Sequence, residues 1–583
     1  MPKPKLSKNA LIILEQRYLK KNKKGKVIEK PEDLFRRVAK NIAQADAKYS
    51  HSRKNTKKTE QEFYEMMASL DFLPNSPTLL NAGRKLQQLA ACFVLPIEDN
   101  INSIFKTLHD AALIHKTGAG TGFNFSKLRP KGDIIESAGF TSGPVSFMNI
   151  FDAATEQIKL GGNLRGANMG ILNVDHPDIE DLITVKSKEN VLTNFNVSVA
   201  ITDEFINAIR KNKDYRLVSP RTKKAVKKES AKRIFRLICE QAWLNGDPGV
   251  VFIDRMNKFN PTPKLGKIES TDSCGEQPLL PYESCNLGSI NLSNMVKDNK
   301  IDYQKLKKTV HSAVHFLDNV IGMCNYPLEE NKKIVGQNRK IGLGVMGFAD
   351  LLISLGIAYD SEEGLRTAEQ VMSFISKEAK AASSELASKR GVFPSWSKSI
   401  YSKNKKIRLR NATLTTIAPT GTISIIADTS SGIEPLFALS YARKTAEGST
   451  LAYFNENLKK ELNKSKLYTD EIIERIHRAG TIQDIHDIPE RIRRIFKVGS
   501  DIGAEWHVRM QAAFQKYVDN GISKTVTLPK DASVGDVEKI FMMAYELGCK
   551  GISIYRFGSR EGQVIYLSSK RDEQITLKDF FRR

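Results

Sequence analysis

Thr271-Asp272-Ser273-Cys274-Gly275-Glu276-Gln277-Pro278 runs through Leu279-Leu280-Pro281-Tyr282-Glu283 into Ser284-Cys285-Asn286-Leu287-Gly288-Ser289-Ile290-Asn291-Leu292. A thiol lies two residues from a carboxylate, and a second thiol follows eleven residues later. That grouping points to redox or radical sulfur chemistry. The chain has only 6 cysteines in 583 residues, so the two are not part of a disulfide scaffold. If the segment is extended, side chains alternate and Cys274 and Glu276 share one side. They could then present a thiol to one carbon of a ligand and a base to the adjacent hydroxyl. The plainer reading is a small buried thiol in a turn beside a surface Glu, the commoner case for an arbitrary cysteine.

Outward from this stretch, the other thiols read as core. Cys92 lies in the strand-like run Leu89-Ala90-Ala91-Cys92-Phe93-Val94-Leu95, and Cys239, Cys324 and Cys549 lie on apolar or helical patterns. The 9 histidines are scattered and no Cys-x-x-Cys occurs, so no metal site built from protein side chains is expected. Thr413 to Ala418 alternates like a strand and runs into Pro419-Thr420-Gly421-Thr422-Ile423-Ser424. A strand ending in a Gly/Thr/Ser turn that opens a helix offers N–H groups and hydroxyls to phosphate. A simple strand-to-helix turn fits equally well. The glycine-rich loop Gly118 to Gly122 matches neither a nucleotide-triphosphate loop nor a dinucleotide fingerprint, and its glycines can serve close backbone packing alone.

Residues 1–70 read as a polar, basic, helical region, with Pro31-Glu32-Asp33 opening a helix. From 71 onward, short apolar segments alternate with helical ones, which suggests an α/β architecture. One long helix is capped by Asp360 or Ser361 and ended by Gly391, with Leu365, Ala368, Val371, Met372, Ile375, Ala379, Ala382 and Leu386 as its buried stripe. Ile341 to Tyr359 is apolar but carries Asp350 and four glycines, so it reads as buried core and not as a membrane span. No fixed-period repeat is visible. The net charge of +24 attracts polyanions, yet the basic residues form short clusters without interleaved aromatics, so solvated faces are the better reading and direct nucleic-acid binding the minority one. Few cysteines and no secretion signal point to the cytoplasm.

Taken together, these segments resemble an adenosylcobalamin-dependent (class II) ribonucleotide reductase. The resemblance runs through Asn75 to Gly83, Ala91-Cys92, Gly118 to Gly122, Gly161 to Gly170, Cys274 to Asn291, Arg339 to Gly344, Ala418 to Pro435, Trp506 to Gln511, Ser523-Lys524-Thr525 and Tyr555 to Arg560. It implies an α/β fold, a ten-stranded barrel of two parallel five-stranded halves over 71–560, with a finger loop at its centre and a tail over 561–583. By position it implies a thiyl radical at Cys274, a base at Glu276, and Cys92 with Cys285 as the reducing pair that ends as a disulfide. Ser76, Ala91, Gly120, Ser273, Gly275 and the Pro419, Thr420, Gly421, Thr422, Ile423, Ser424 turn would hold a ribonucleotide. Asp99 and Arg129 would contact a dNTP or ATP effector at a homodimer interface, and Arg165, Gly166, Ala167 and Asn168 would form the loop that relays specificity. The activity implied is deoxyribonucleotide formation for DNA synthesis, with adenosylcobalamin as cofactor and no membrane partner.

Three departures stand out. Asp272 replaces the usual Asn, Ser273 the usual Pro, and Thr527 the usual Asn. Asn donates and accepts hydrogen bonds whereas ionised Asp only accepts, and its charge would raise the pKa of at least one carboxyl of the Asp272/Glu276 pair. No cysteine follows Cys549, so an external thiol reductant, thioredoxin-like or a small dithiol, is expected unless the chain is truncated. The alternatives are a large subunit served by a separate radical-generating subunit and a non-catalytic nucleotide-binding relative.

Overall fold

A computed structural model describes residues 3–49, 52–135, 139–160, 164–188, 190–445, 448–559 and 565–566. The expected tail from 561 lies outside the described residues apart from Ile565–Tyr566.

Ten strands form one sheet. In chain order they are β1 (Phe72–Pro74), β2 (Cys92–Val94), β3 (Gly120–Asn124), β4 (Asn168–Asn173), β5 (Phe195–Ile201), β6 (Gly249–Phe252), β7 (Ser284–Asn291), β8 (Ile341–Met346), β9 (Thr525–Leu528) and β10 (Gly551–Arg556). β2 to β6 pair in sequence and in parallel. β7 pairs in parallel with β8, and β9 with β10. The extended stretch 413–418 closes the ring, bridging Leu343 to Thr415 and Ile417 to Ile522, both in parallel. Two parallel halves of five segments thus meet at antiparallel seams, β7 on β2 and β6 on β10. This is the expected α/β barrel. β1 continues the β2 seam along β7.

Gly120 and Gly122 lie in β3, so the glycine-rich segment read as a loop is in part strand, and close packing is what its glycines serve, as described below. The helix over Glu362–Arg390 begins after Ser361, whose hydroxyl accepts from Gly364 N–H, and stops at Gly391 with φ +82°. It packs against the helices Tyr303–Met323 and Ala504–Gln515, and Tyr303–Met323 in turn packs on the N-terminal helices Pro31–Ala43 and Arg53–Ala68, all in one core with the β7/β8 half. A second core covers the outside of the β2–β6 half. At the junction of the N-terminal region and the barrel, buried Asp318 meets Arg339 at 2.7 Å, Arg390 at 3.0 Å and Arg410 at 3.5 Å. Arg390 also reaches Asp46 at 2.6 Å. Among the described residues, no helix is long and apolar enough to cross a membrane.

Candidate active site

The stretch 270–279 is a hairpin threaded into the barrel. Ser270–Thr271 pairs with Pro278–Leu279, and Asp272 closes the turn by accepting from Gln277 N–H at Oδ1 (2.9 Å) and from Gly275 N–H at its carbonyl (3.2 Å). Gly275 has φ +85°, a conformation that favours glycine. The tip is therefore a turn. The alternation that would put Cys274 and Glu276 on one side fails because the chain is not extended there.

The barrel wall makes room by omitting side chains. A Cβ at Gly122 would lie 1.7 Å from the Thr271 carbonyl oxygen, one at Gly120 2.9 Å from Ser273 Oγ, and one at Gly521 2.7 Å from the Gly275 carbonyl. The wall also satisfies the hairpin's carbonyls. Asn124 donates to Glu269 (2.7 Å), Asn196 to Ser273 (2.7 Å) and Thr416 Oγ1 to Glu276 (2.9 Å), while Gly521 N–H also reaches Glu276 (2.8 Å). Buried backbone groups need such partners, so the hairpin is fixed by the barrel and not by its own short ladder.

Cys92 and Cys285 are Cα partners across the antiparallel β2/β7 seam, both buried and both free thiols. Directly opposed residues in such pairs have Cα atoms about 4.5–5.5 Å apart, within disulfide range. Cys92 Sγ donates to Asp272 Oδ2 at 3.1 Å. The ligand-capable atoms of Cys92, Asp272 and Glu276 lie within 4.8 Å of one another. Burial pushes the thiols of Cys92, Cys274 and Cys285 well up. At Cys285 the Lys340 charge opposes that rise, and Lys340 is itself a buried partner of Glu283 at 2.5 Å. Burial, then the neighbouring Asp272 charge, raises Glu276 far above the carboxylate range, and burial raises Asp272. Two carboxyls this close in a dry site hold one proton between them.

Cys274, at the tip, borders a cavity of about 950 Å³. Its accessible surface is internal to the barrel. Ser273, Gly275, Asn196 and Ser198 border the same space, and Tyr441, Tyr555 and Phe557 line it farther out. Glu434 and Lys524 also line it, joined at 2.6 Å.

The remaining expected site residues fall in four places. Ser76 Oγ lies 2.6 Å from Tyr18 Oη, directly after Asn75, whose N–H donates to the Leu287 carbonyl of the strand that carries Cys285. In the turn 419–424, Thr420 Oγ1 accepts from Gly432 N–H, and the helix that follows, Ile423–Ala427, is short. Arg17 reaches Thr422 Oγ1 at 3.4 Å and Arg443 the Gly421 carbonyl at 3.3 Å. Asp99 and Arg129 are ion-paired at 2.8 Å, remote in sequence from the hairpin. In the segment 160–173, residues 161–163 lie outside the described residues. Gly166 packs on His115, where a Cβ would sit 2.6 Å from the ring. The Ala167 carbonyl accepts from Thr121 N–H, and Asn168 bonds Thr121 and Thr155. This ties the segment to both flanking helices, Ile101–His115 and Pro144–Gln157, and to the strand that grips the hairpin.

Sequence reasoning missed Asn196, Gly521, Arg17, Arg443, Lys340 and His115. Single polar residues in strands and helices carry no local signal. The cysteine–carboxylate cluster escaped a spacing search because its members are 180 residues apart.

A barrel of two antiparallel-joined halves with a thiol on an inserted loop and a thiol pair on the wall is the architecture of a family. The model of the ribonucleotide reductase barrel domain matches residues 90–555, and that of the ribonucleotide reductase all-alpha domain matches 4–87. The chain belongs to the ribonucleotide reductase family. Within it, the chain is 47% identical over 617 residues to the vitamin B12-dependent ribonucleoside-diphosphate reductase of Thermoplasma acidophilum, covering 96% of this chain and 80% of that one. A protein of the same name from Mycobacterium tuberculosis is 45% identical over 563 residues, with 96% and 81% covered. The Actinobacillus ureae class Id ribonucleotide reductase alpha subunit has the same fold, with a TM-score of 0.78 at 24% identity over 95% of this chain and 97% of that chain.

Proposed function

We propose that this chain reduces ribonucleoside diphosphates to 2′-deoxyribonucleotides with adenosylcobalamin as its radical source. The observation that carries the reading is the conjunction at one hairpin: Cys274 on the cavity at the tip, Glu276 turned toward Asp272 and Cys92, and Cys285 facing Cys92 across the seam. The diphosphate preference and the cobalamin dependence are supported by the names of the two relatives.

The cavity suits the cofactor: it opens on Cys274, mixes aromatic and polar walls, and its described lining offers no histidine to a metal. When bound there, adenosylcobalamin supplies a carbon radical by cobalt–carbon homolysis. Cys274 gives up its hydrogen atom and, as a thiyl, takes the 3′ hydrogen of the ribose. Glu276 accepts the 3′-hydroxyl proton as the proton it shares shifts onto Asp272. Cys92 protonates the departing 2′-hydroxyl, which leaves as water, and Cys92 and Cys285 deliver two electrons and become a disulfide. Cys274 then returns the 3′ hydrogen atom to the sugar, which restores its thiyl, and it would recover its own hydrogen atom from the cofactor carbon that took it. The barrel keeps water from the radical.

Ser76, Ala91, Gly120 and the 419–424 turn hold the substrate, with Arg17 and Arg443 as cations beside its phosphates. An external dithiol reductant restores the pair. Asp99 and Arg129 receive a dNTP effector at a homodimer interface. Support comes from the exposed apolar face of the helix Ile101–His115, where Ile101 and Phe105 stand on adjacent turns, 57% and 48% exposed. We place the enzyme in the cytoplasm.

The test is incubation of the reduced protein with each ribonucleotide, a dithiol and adenosylcobalamin, with and without dNTPs. Deoxynucleotide formation that needs cobalamin and no second protein is expected. Its absence under every combination refutes the reading.

A further inference from the structure

We propose that Cys92, Asp272 and Glu276 of the reduced protein bind a thiophilic divalent cation of the zinc type. A bound cation takes Cys92 out of the reaction.

The geometry supplies the ligands. One Sγ and two carboxylate groups offer atoms within 4.8 Å of one another. An ion bound at about 2.3 Å from sulfur and about 2.0–2.2 Å from oxygen needs them only about 3.6 Å apart, so small side-chain adjustments complete the set. All three residues are buried, Glu276 with 2% of its surface exposed, and Glu276 Oε2 has no hydrogen-bond partner among the described residues. A buried carboxylate oxygen that no N–H or O–H group satisfies is costly, and a cation can take the place of the proton Glu276 shares with Asp272. The hairpin and the β2 strand hold the ligands in place, since the Asp272 Oδ1, N–H and carbonyl groups are all engaged in the turn.

A divalent cation that binds a thiolate and two carboxylates displaces the protons these groups hold to solvent, so binding strengthens as pH rises. The thiolate selects a borderline or soft ion over magnesium, which wants oxygen alone. Asp272 matters here: an Asn at this position would offer a neutral amide oxygen in place of an anionic ligand. Three protein ligands leave one position open, as in catalytic zinc sites.

The inhibitory part rests on the reductase reading. A metal-bound Cys92 cannot pair with Cys285, and a metal-bound Glu276 cannot accept a proton.

Cobalt(II) serves as the optical stand-in. Titration of the reduced full chain without cobalamin or nucleotide is expected to give a near-ultraviolet thiolate-to-cobalt band, saturating at one equivalent and abolished by zinc. Cys92→Ser removes the band. Asp272→Asn, which keeps the shape of the site, weakens cobalt binding at least about ten-fold, the lower end of the loss caused by changes merely adjacent to metal ligands. Oxidation to the Cys92–Cys285 disulfide removes the band as well. No band in the wild type, or one that survives Cys92→Ser or oxidation, overturns the proposal. This readout uses no turnover, so its failure leaves the reductase reading standing. Conversely, loss of deoxynucleotide formation under chelator, where no metal is present, counts against the reductase reading alone.

Discussion

Gly122→Ala puts the grip of the barrel on its hairpin to the test. The added Cβ would stand 1.7 Å from the Thr271 carbonyl oxygen and 2.9 Å from its carbon, where ordinary contact begins at 3.4 Å. The hairpin or the wall must retreat by about 1.7 Å. Both sides are backbone, so no rotamer change relieves the clash. Overpacking of this kind costs about 1–3 kcal/mol. The displaced element carries Cys274, and a misplacement of about 1 Å at a reacting group can cost about 100-fold in rate. The assay pairs urea unfolding with cobalamin-dependent kcat. The expected variant is destabilised by at least about 1 kcal/mol and loses about 100-fold in kcat. Gly336→Ala is the control: a Cβ there meets nothing within 4 Å, in the helix Glu329–Asn338, and should be neutral or mildly stabilising. Wild-type rate and stability in Gly122→Ala would refute the threaded-hairpin argument.

Asp272→Asn removes the charge that helps hold Glu276 protonated, so the acid limb of the pH–rate profile moves to lower pH, read from kcat against pH. The same pair has folded pKa values above the unfolded ones. Its stabilising contribution is therefore full at acid pH and lost as pH rises through the raised values, and the variant's stability should fall less with rising pH, measured by urea unfolding. Asp318→Ala takes the buried carboxylate from Arg339 and Arg410 and leaves Arg390 with Asp46 alone, and should cost about 3–5 kcal/mol in unfolding free energy. Those arginines hold the Asp318 pKa below its ordinary value, so its contribution is present above that value and lost as pH falls through the folded one. Phe105→Asp places a charge on the exposed apolar helix face and should shift the protein toward monomer in sedimentation velocity, with dNTP control of substrate choice lost alongside.

Much of the fold was legible because the signals were local. Ser361 and Gly391 bracket a stripe of apolar residues at helical spacing, and the structure places a helix between them. Pro31 with Glu32 and Asp33 marks the start of another. The barrel itself was legible only through resemblance, since no periodicity announces that Ile417 pairs with Ile522 to close a ring. At the site, chemistry-bearing residue types were visible, but their grouping was not. Cys92 reads as a core thiol until a seam sets it opposite Cys285 and a turn brings Asp272 to 3.1 Å. Gly122 reads as a loop residue until the carbonyl of Thr271 is found in the space its side chain would fill. Long-range placement carries the function here, and one-dimensional spacing does not encode it.

In the proposed reaction Cys274 starts each reduction, and Cys92 with Cys285 supplies its electrons. Its most direct measurement is a single turnover of pre-reduced protein with adenosylcobalamin and a ribonucleoside diphosphate, no external reductant, followed by peptide mapping. One deoxynucleotide per chain with a matching Cys92–Cys285 disulfide is expected, and neither product in Cys274→Ala. Deoxynucleotide formed by Cys274→Ala, or formed without that disulfide, would contradict it.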